Sequence, residues 1–468
     1  EEVCADAPRD EIGVRVLKES LCSEEVLDLL GNLLEKSLVV AERPAAGAVR
    51  HRLLETLRQY AQERLAAGGE VTEEALRVRH ANYFISLAEK VASGMRGPDQ
   101  TEWAERLELE HDNIRSVLEW GAKADATPDR VELALRLAAS LYAPWFRRGH
   151  GREGRKHFQA LLSHIGAKKP TKAKARVLFA AGSLALWQDG DDSTAWVLLT
   201  ESLELARLLG DSRVVADAQR NRGQVLCKRG DIAAATRCHE EALQLSRAEG
   251  DIYGIRWSLE NLAEMAADAG DKKRASELFE EALSLARQSG DHHSIASILQ
   301  STGALACAAG NPENAAQLIG EGLSIMRMIG CNHCSSWFLG DLAGLASSSG
   351  DFGRAVRILG AAEALRERTG TVIPRPAMVL SEQTLQESRR RLGEAAYAEF
   401  LSEGQAMTLP QAVDYALSCI HEIGRASSPR PSPPPDGREG KNICVFGSPF
   451  GEALTGTFVP SPSPGGEG

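Results

Sequence analysis

The chain has 468 residues, a formal net charge of −11, and only 5% aromatic residues. That length holds two or three domains, and the acidic balance argues against broad nucleic-acid binding, which needs positive potential. No apolar run approaches the roughly 20 residues of a membrane-spanning helix and no signal-peptide pattern opens the chain, so a cytoplasmic, membrane-free protein is expected.

Residues 1–68 read as a small winged-helix-like arm, cut short at Glu1 as the carboxyl-terminal piece of something longer. A helix ends near Leu30–Leu34, Ser37–Val40 is a strand, Pro44–Gly47 a turn, and Val49–Leu53 a second strand. The helix Leu53–Leu65 follows, with Leu53, Leu57, Tyr60, Ala61 and Leu65 on one face. Arg43, Arg50, Arg52, Arg58 and Arg64 stand here against Glu55 and Glu63, with Glu42 just outside. That excess could touch DNA, but a solvated face, or one packed on a neighbouring domain, explains it more simply.

Residues 72–125 form a helical linker. One amphipathic helix covers 72–92, with Leu76, His80, Tyr83, Phe84, Leu87 and Val91 on its stripe, and Gly94–Asp99 is a loop. A second covers 100–120, with Trp103, Leu107, Ile114 and Leu118. His80 and His111 sit on apolar stripes and read as packing residues.

From residue 190 glycines recur every 20 residues: Gly190, Gly210, Gly230, Gly250, Gly270, Gly290, Gly310, Gly330, Gly350 and Gly370. Seven are followed by Asp and one by Asn311. A left-handed Gly ends one helix and the acidic residue caps the next. Each step is a helix of roughly 16 residues plus a turn, and two steps make a 40-residue hairpin of the kind that stacks into a solenoid. Around the mid-repeat glycines the same places recur. Seven residues before stand Ser183, Gly223, Ala263, Gly303 and Ala343. Five after stand Ala195, Ala235, Ala275, Ala315 and Ala355. Nine after stand Leu199, His239, Phe279, Ile319 and Leu359, and twelve after Ser202, Ala242, Ala282, Gly322 and Ala362. Small residues let helices approach and the large one fills the gap beside them. This spacing resembles the tetratricopeptide repeat, lengthened to 40 residues. The fold expected is therefore mainly all-α, a tetratricopeptide-like superhelix over 130–370. It comprises five clear copies in 171–370 and a weak one in 130–165. Residues 371–424 should cap it with further helices, and 425–468, rich in Pro, Ser and Gly, should be disordered.

Four phrases carry a wider resemblance: Leu33-Leu34-Glu35-Lys36-Ser37-Leu38-Val39, Arg52 to Ala61, Arg79-His80-Ala81-Asn82-Tyr83-Phe84, and Glu110-His111-Asp112-Asn113-Ile114-Arg115. They resemble the segment after the nucleotide-binding domain in bacterial LuxR-type and adenylate-cyclase-associated regulators, which are signal-transduction ATPases with numerous domains. The likeness continues to Gln411–Ala416 near the closing helix. It implies a winged-helix arm, a helical linker and a tetratricopeptide sensor, with ATP bound only in an upstream domain.

No phosphate loop, Gly-x-Ser-x-Gly elbow or His-Glu-x-x-His helix occurs, so neither catalytic nor cofactor residues are assigned. Cys331, His333 and Cys334, with His292 and His293 one repeat earlier, form the one metal-like group. Structural zinc wants four ligands, and the group reads as a polar helix start, with no metal assigned. The nine cysteines suit free thiols in a reducing compartment rather than a disulfide framework. The candidate site is the groove formed by the first helices. Helical spacing puts Asp217, Arg220, Gln224, Trp257, Glu260, Glu264, Gln300 and Trp337 on one face, with Asn221, Lys228 and Asn261 beside it. It suits capture of a protein, a peptide or a small inducer, although a plain solvated face would look the same. The function expected is the non-catalytic sensor of a signal-transduction ATPase-type transcriptional regulator. The alternatives are a stand-alone repeat scaffold or a DNA-contacting winged helix.

Overall fold

A computed structural model describes residues 23–42, 49–67, 70–164, 168–369 and 375–420. The turn at Pro44–Gly47, Gly370 and the tail 425–468 lie outside the described residues. The chain begins with α1 (Ser23–Glu35), β1 (Val39–Glu42), β2 (Arg50–Leu53) and α2 (Glu55–Ala67). The two strands pair antiparallel, Val39 opposite Leu53 and Glu42 opposite Arg50. Leu27, Leu29, Leu53, Leu54 and Tyr60 of this helix and β-hairpin region remain exposed.

Next come α3 (Glu70–Gly94), α4 (Gln100–Leu109), α5 (His111–Gly121), α6 (Pro128–Arg148) and α7 (Gly151–Ser163). They share one apolar core that includes Phe84, Val91, Ile114, Leu118, Leu141, Trp145 and Phe158. The single helix expected over 100–120 is broken at Glu110. Its N–H bonds the Leu107 carbonyl at 3.0 Å, tightening the last turn of α4, and its carboxylate accepts from Asn113 and Arg50. His111 is packed as expected, 3.0 Å from Glu153. His80 lies against Phe84, and burial lowers its pKa.

The five hairpins follow. They are α8 (Lys172–Leu184) with α9 (Asp192–Leu208), α10 (Ser212–Lys228) with α11 (Ile232–Ala248), and α12 (Ile252–Asp268) with α13 (Lys272–Ser289). The last two are α14 (His292–Ala308) with α15 (Pro312–Met328), and α16 (Asn332–Ser348) with α17 (Phe352–Thr369). All nine described glycines of the 20-residue ladder have positive φ, from 64° at Gly190 to 89° at Gly350. The side chain of the following residue accepts from the backbone three residues on at Asp191, Asp211, Asp231, Asp271, Asp291, Asn311 and Asp351. Asp251 departs from the expected cap: it makes no such bond and faces Arg213 at 3.6 Å. In the first hairpin a π-helical stretch, Ala185–Asp189, extends α8, which the glycine ruler does not signal. The described chain closes with α18 (Arg375–Leu392), α19 (Glu394–Gln405) and α20 (Leu409–Ser418). Gly404 and Gly360 let α19 lie directly on α17: a Cβ on Gly360 would sit 2.7 Å from the Leu401 carbonyl oxygen.

The small–large spacing does what the sequence predicts. Ala195, Ala235, Ala275, Ala315 and Ala355 are all fully buried. Gly223 lies so close to His239 that a Cβ would stand 2.6 Å from the ring. First and second helices differ in kind. On α10, α12 and α14 buried residues occur on nearly every side, whereas α11 buries only Ala235, His239, Ala242 and Ser246. The first helices therefore form an inner wall and the second helices an outer one.

The superhelix does not stay open. Its amino-terminal helices reach across to the third, fourth and fifth hairpins. Arg96 lies over the Tyr253 ring at 4.3 Å, and Pro98 packs on Gly290. Arg147 donates to the Met95 carbonyl at 2.7 Å while its guanidinium stands 4.0 Å from Asp291. The Arg147 carbonyl in turn faces the Cys331 sulfur at 3.8 Å.

Candidate functional site

The groove residues come together, but not as an open, solvated trough. Arg220, Asn221, Gln224, Trp257, Glu260, Asn261, Glu264, Gln300 and Trp337 are buried, and only Asp217 and Lys228 are half-buried. They form a polar seam between successive first helices. Nine residues before Gly230, Gly270, Gly310 and Gly350 stand Asn221, Asn261, Ser301 and Asp341, and each binds the preceding first helix. Asn221 donates to Ser183 at 2.6 Å, Gln224 to Asn261 at 2.6 Å, Ser301 to Glu264 at 3.1 Å, and Gln300 to Asp341. Glu260 accepts from Arg256 at 2.6 Å on its own helix and from Ser297 at 2.7 Å on the next. Arg220 pairs with Asp217, reaches Ser246 at 3.3 Å and lies over the Trp257 ring. Lys228 binds Asp192 at 3.1 Å. Paired in this way, these polar groups can be buried at tolerable cost.

Burial shows in their titration. It pushes the Glu260 carboxyl up and brings Arg220 down to about 10. Burial also pushes on Asp291, but Arg147, Arg256 and His293 together hold it below the ordinary range. The pairing is not complete. Arg220 Nε, Arg256 Nε, Asn261 Nδ2 and Gln300 Oε1 are buried without a hydrogen-bond partner.

Where the amino-terminal helices meet this inner wall they leave two cavities. The first, about 370 Å³, is lined by Arg96, Arg213, Asp251, Tyr253, Arg256 and Asp291 among others. The second, about 40 Å³, lies among Tyr142, Phe146, Arg147, Trp187, Trp257 and His293. Tyr253 and Arg256 line both. Of the predicted site residues only Trp257 and Glu260 reach the smaller one. Tyr142, Arg147 and Arg96, which the sequence does not single out, come from outside the five hairpins. A wider cavity of about 540 Å³ between α7, α8 and α9 touches none of the seam.

Three of the five arginines of the amino-terminal region are paired, Arg52 with Glu42 at 2.8 Å, Arg58 with Glu55 at 2.6 Å and Arg50 with Glu110 at 3.3 Å, while Arg43 lies outside the described residues. Such pairing offsets part of the positive field that DNA would need. Among the described residues the cysteines depart from the sequence expectation at one place. Cys331 and Cys334 are joined as a disulfide, and His293 Nε2 stands 3.4 Å from the Cys334 sulfur. No helix of the described residues is long and apolar enough to cross a membrane.

A tetratricopeptide-repeat sequence family matches residues 214–288 and 258–328, within the second to fourth hairpins. The array is tetratricopeptide-like. Mycobacterial proteins are related to the chain over part of its length. The "Putative HTH-type transcriptional regulator Rv0890c" of Mycobacterium tuberculosis and its Mycobacterium bovis counterpart Mb0914c are 34% identical over 199 residues. That is 41% of this chain and 22% of theirs, so the chain matches about a fifth of the length of these relatives. Among solved structures, a Rap protein complexed with competence and sporulation factor aligns over 79% of this chain and 93% of its own. Its TM-score is 0.50 at 13% identity, a likeness of fold alone. A signal-transduction ATPase with a tetratricopeptide sensor from Pyrococcus horikoshii aligns over 84% of this chain and 60% of its own, with a TM-score of 0.39 and 13% identity.

Proposed function

We propose that this chain is the non-catalytic sensor portion of a transcriptional regulator, and that it takes a peptide or small inducer where its amino-terminal helices close on the repeat array. The observation that carries this reading is the pair of cavities that share Tyr253 and Arg256 in their walls. Aromatic rings, an unpaired buried Arg256 Nε and several charged groups converge there. Concave, partly apolar sites with a few convergent polar groups are where small ligands bind. The regulators related over part of the chain favour a role in transcription, and the Rap protein, solved with a bound factor, offers a precedent for ligand capture on such a fold.

A ligand seated there touches both the helices α3 to α6 and the repeats, so it can favour one closure over another. Only such differential contact shifts a conformational equilibrium. The exposed Leu27, Leu29, Leu54 and Tyr60 of the amino-terminal region supply an apolar face for an adjoining ATPase module, which would read the change.

The test is mass spectrometry of peptides and small molecules retained by the purified chain, beside Tyr253→Ala and Arg213→Ala variants with unchanged circular dichroism. Retention by the parent chain and its loss in both variants is expected. Equal retention by all three, or none above a control protein, would overturn the reading.

A further inference from the structure

We infer that His293, Cys331 and Cys334 form a redox-gated site for a thiophilic divalent cation, of which Zn²⁺ is the natural case. Cys331 occupies the helix-capping place that Asp fills in most other repeats, directly after Gly330, and makes no side-chain cap bond. Cys334 lies one helical turn further on α16. His293 comes from the equivalent turn of α14, one repeat earlier. The ligand atoms of all three lie within 4.8 Å of one another.

The spacing suits a tetrahedral centre. Metal–ligand lengths near 2.3 Å for sulfur and 2.0–2.1 Å for imidazole place S and N about 3.6 Å apart and two sulfurs about 3.8 Å apart. His293 Nε2 and Cys334 Sγ already stand 3.4 Å apart, and the two cysteine Cα atoms 5.5 Å. Both sulfurs are buried, while His293 lines the smaller cavity, which leaves a fourth position for water from that side. The amino end of α16 favours the thiolate form.

The structure shows the oxidised pair, in which the sulfurs are bonded to each other and cannot bind a cation. Two equivalents of an external low-molecular-weight thiol reduce it, giving two cysteine thiols and one external disulfide. Zn²⁺ then displaces the two thiol protons and takes the neutral imidazole as its third ligand. The site borders the contact between Cys331 and the Arg147 carbonyl, so loading and oxidation act on the same closure of the superhelix.

The test uses the full chain, reduced with a dithiol and freed of it under argon, then titrated with Co²⁺. A thiolate-to-cobalt charge-transfer band saturating at about one equivalent is expected, bleached by Zn²⁺, with tetrahedral visible bands. Cys331→Ser and Cys334→Ser should abolish the band, and His293→Ala should weaken binding at least about tenfold. The oxidised chain should give no band. A second readout on the parent chain needs no variant to fold: Zn²⁺ should protect two thiols from alkylation, identified by mass spectrometry as Cys331 and Cys334. No charge-transfer band in the reduced chain, a band that survives both serine variants, or protection of other cysteines would overturn the assignment.

Discussion

Arg256 and Glu260 stand one turn apart on α12, joined at 2.6 Å and almost wholly excluded from water. Neither is a surface ornament. The pair fixes the middle of the polar seam, because Ser297 of the next repeat donates to the other Glu260 oxygen. Removing one partner of such a pair leaves an uncompensated charge, which costs about 3–5 kcal/mol. Glu260→Ala should therefore lower the melting temperature sharply in calorimetry, and Arg256→Met with Glu260→Leu should recover much of it.

His239 fills the place that Leu, Phe or Ile takes in the other repeats. It is fully buried, neither ring nitrogen has a hydrogen-bond partner, and burial with Arg220 nearby holds its pKa down to about 3. An unfolded His binds a proton near pH 6.5, so the unfolded state carries more protons between that pH and about 3. Stability from this group is intact above pH 6.5 and falls by up to about 1.4 kcal/mol per unit below it. His239→Leu should flatten that part of the pH–stability curve and raise the melting temperature at neutral pH. Urea melts from pH 7.5 to 5 would show it; an unchanged slope would refute it.

Gly270 and Gly340 separate two roles of glycine. A Cβ would meet nothing within 4 Å at either. Gly270, however, has φ of 82° in the turn after α12, whereas Gly340 is inside α16. Gly270→Ala should cost about 1–2 kcal/mol, and Gly340→Ala should gain about 0.5–1 kcal/mol. Thermal melts of the two variants should move in opposite directions.

Arg147 is the clasp between the amino-terminal helices and the array, through the Met95 carbonyl, Gln100 and Asp291. Arg147→Ala should loosen that contact while leaving each hairpin intact. Small-angle scattering should report a larger radius of gyration with unchanged helical content. An identical radius would show that Arg96 on Tyr253 and Pro98 on Gly290 suffice.

The helical array was legible because its signal is local. Gly followed by Asp fixes a helix end and a helix start within two residues, and Ala235 or Ala275 marks a close approach that any hairpin needs. The candidate site was legible only in part. Glu260 and Gln300 could be placed on one face with Asn221 beside it, but not that Ser297, Asp341 and Ser183 meet them there. Such pairing depends on how far each hairpin rotates on the last. Arg147 carried no signal at all, since Asp291 and Cys331 lie far along the chain. Cys331 did carry one, as a member of the metal-like group with Cys334, His292, His293 and His333, yet which histidine it meets depends on the superhelical turn.

Contact between α6 and α16 has a further consequence. Most solenoids can lengthen by duplicating a unit, since each new copy only extends a free end. Here the ends of the curl are clasped to each other through Arg147, Asp291 and Cys331. An inserted or lost copy would carry the docking points past their partners, so the architecture counts its own units, and evolution can alter what they recognise more readily than how many there are.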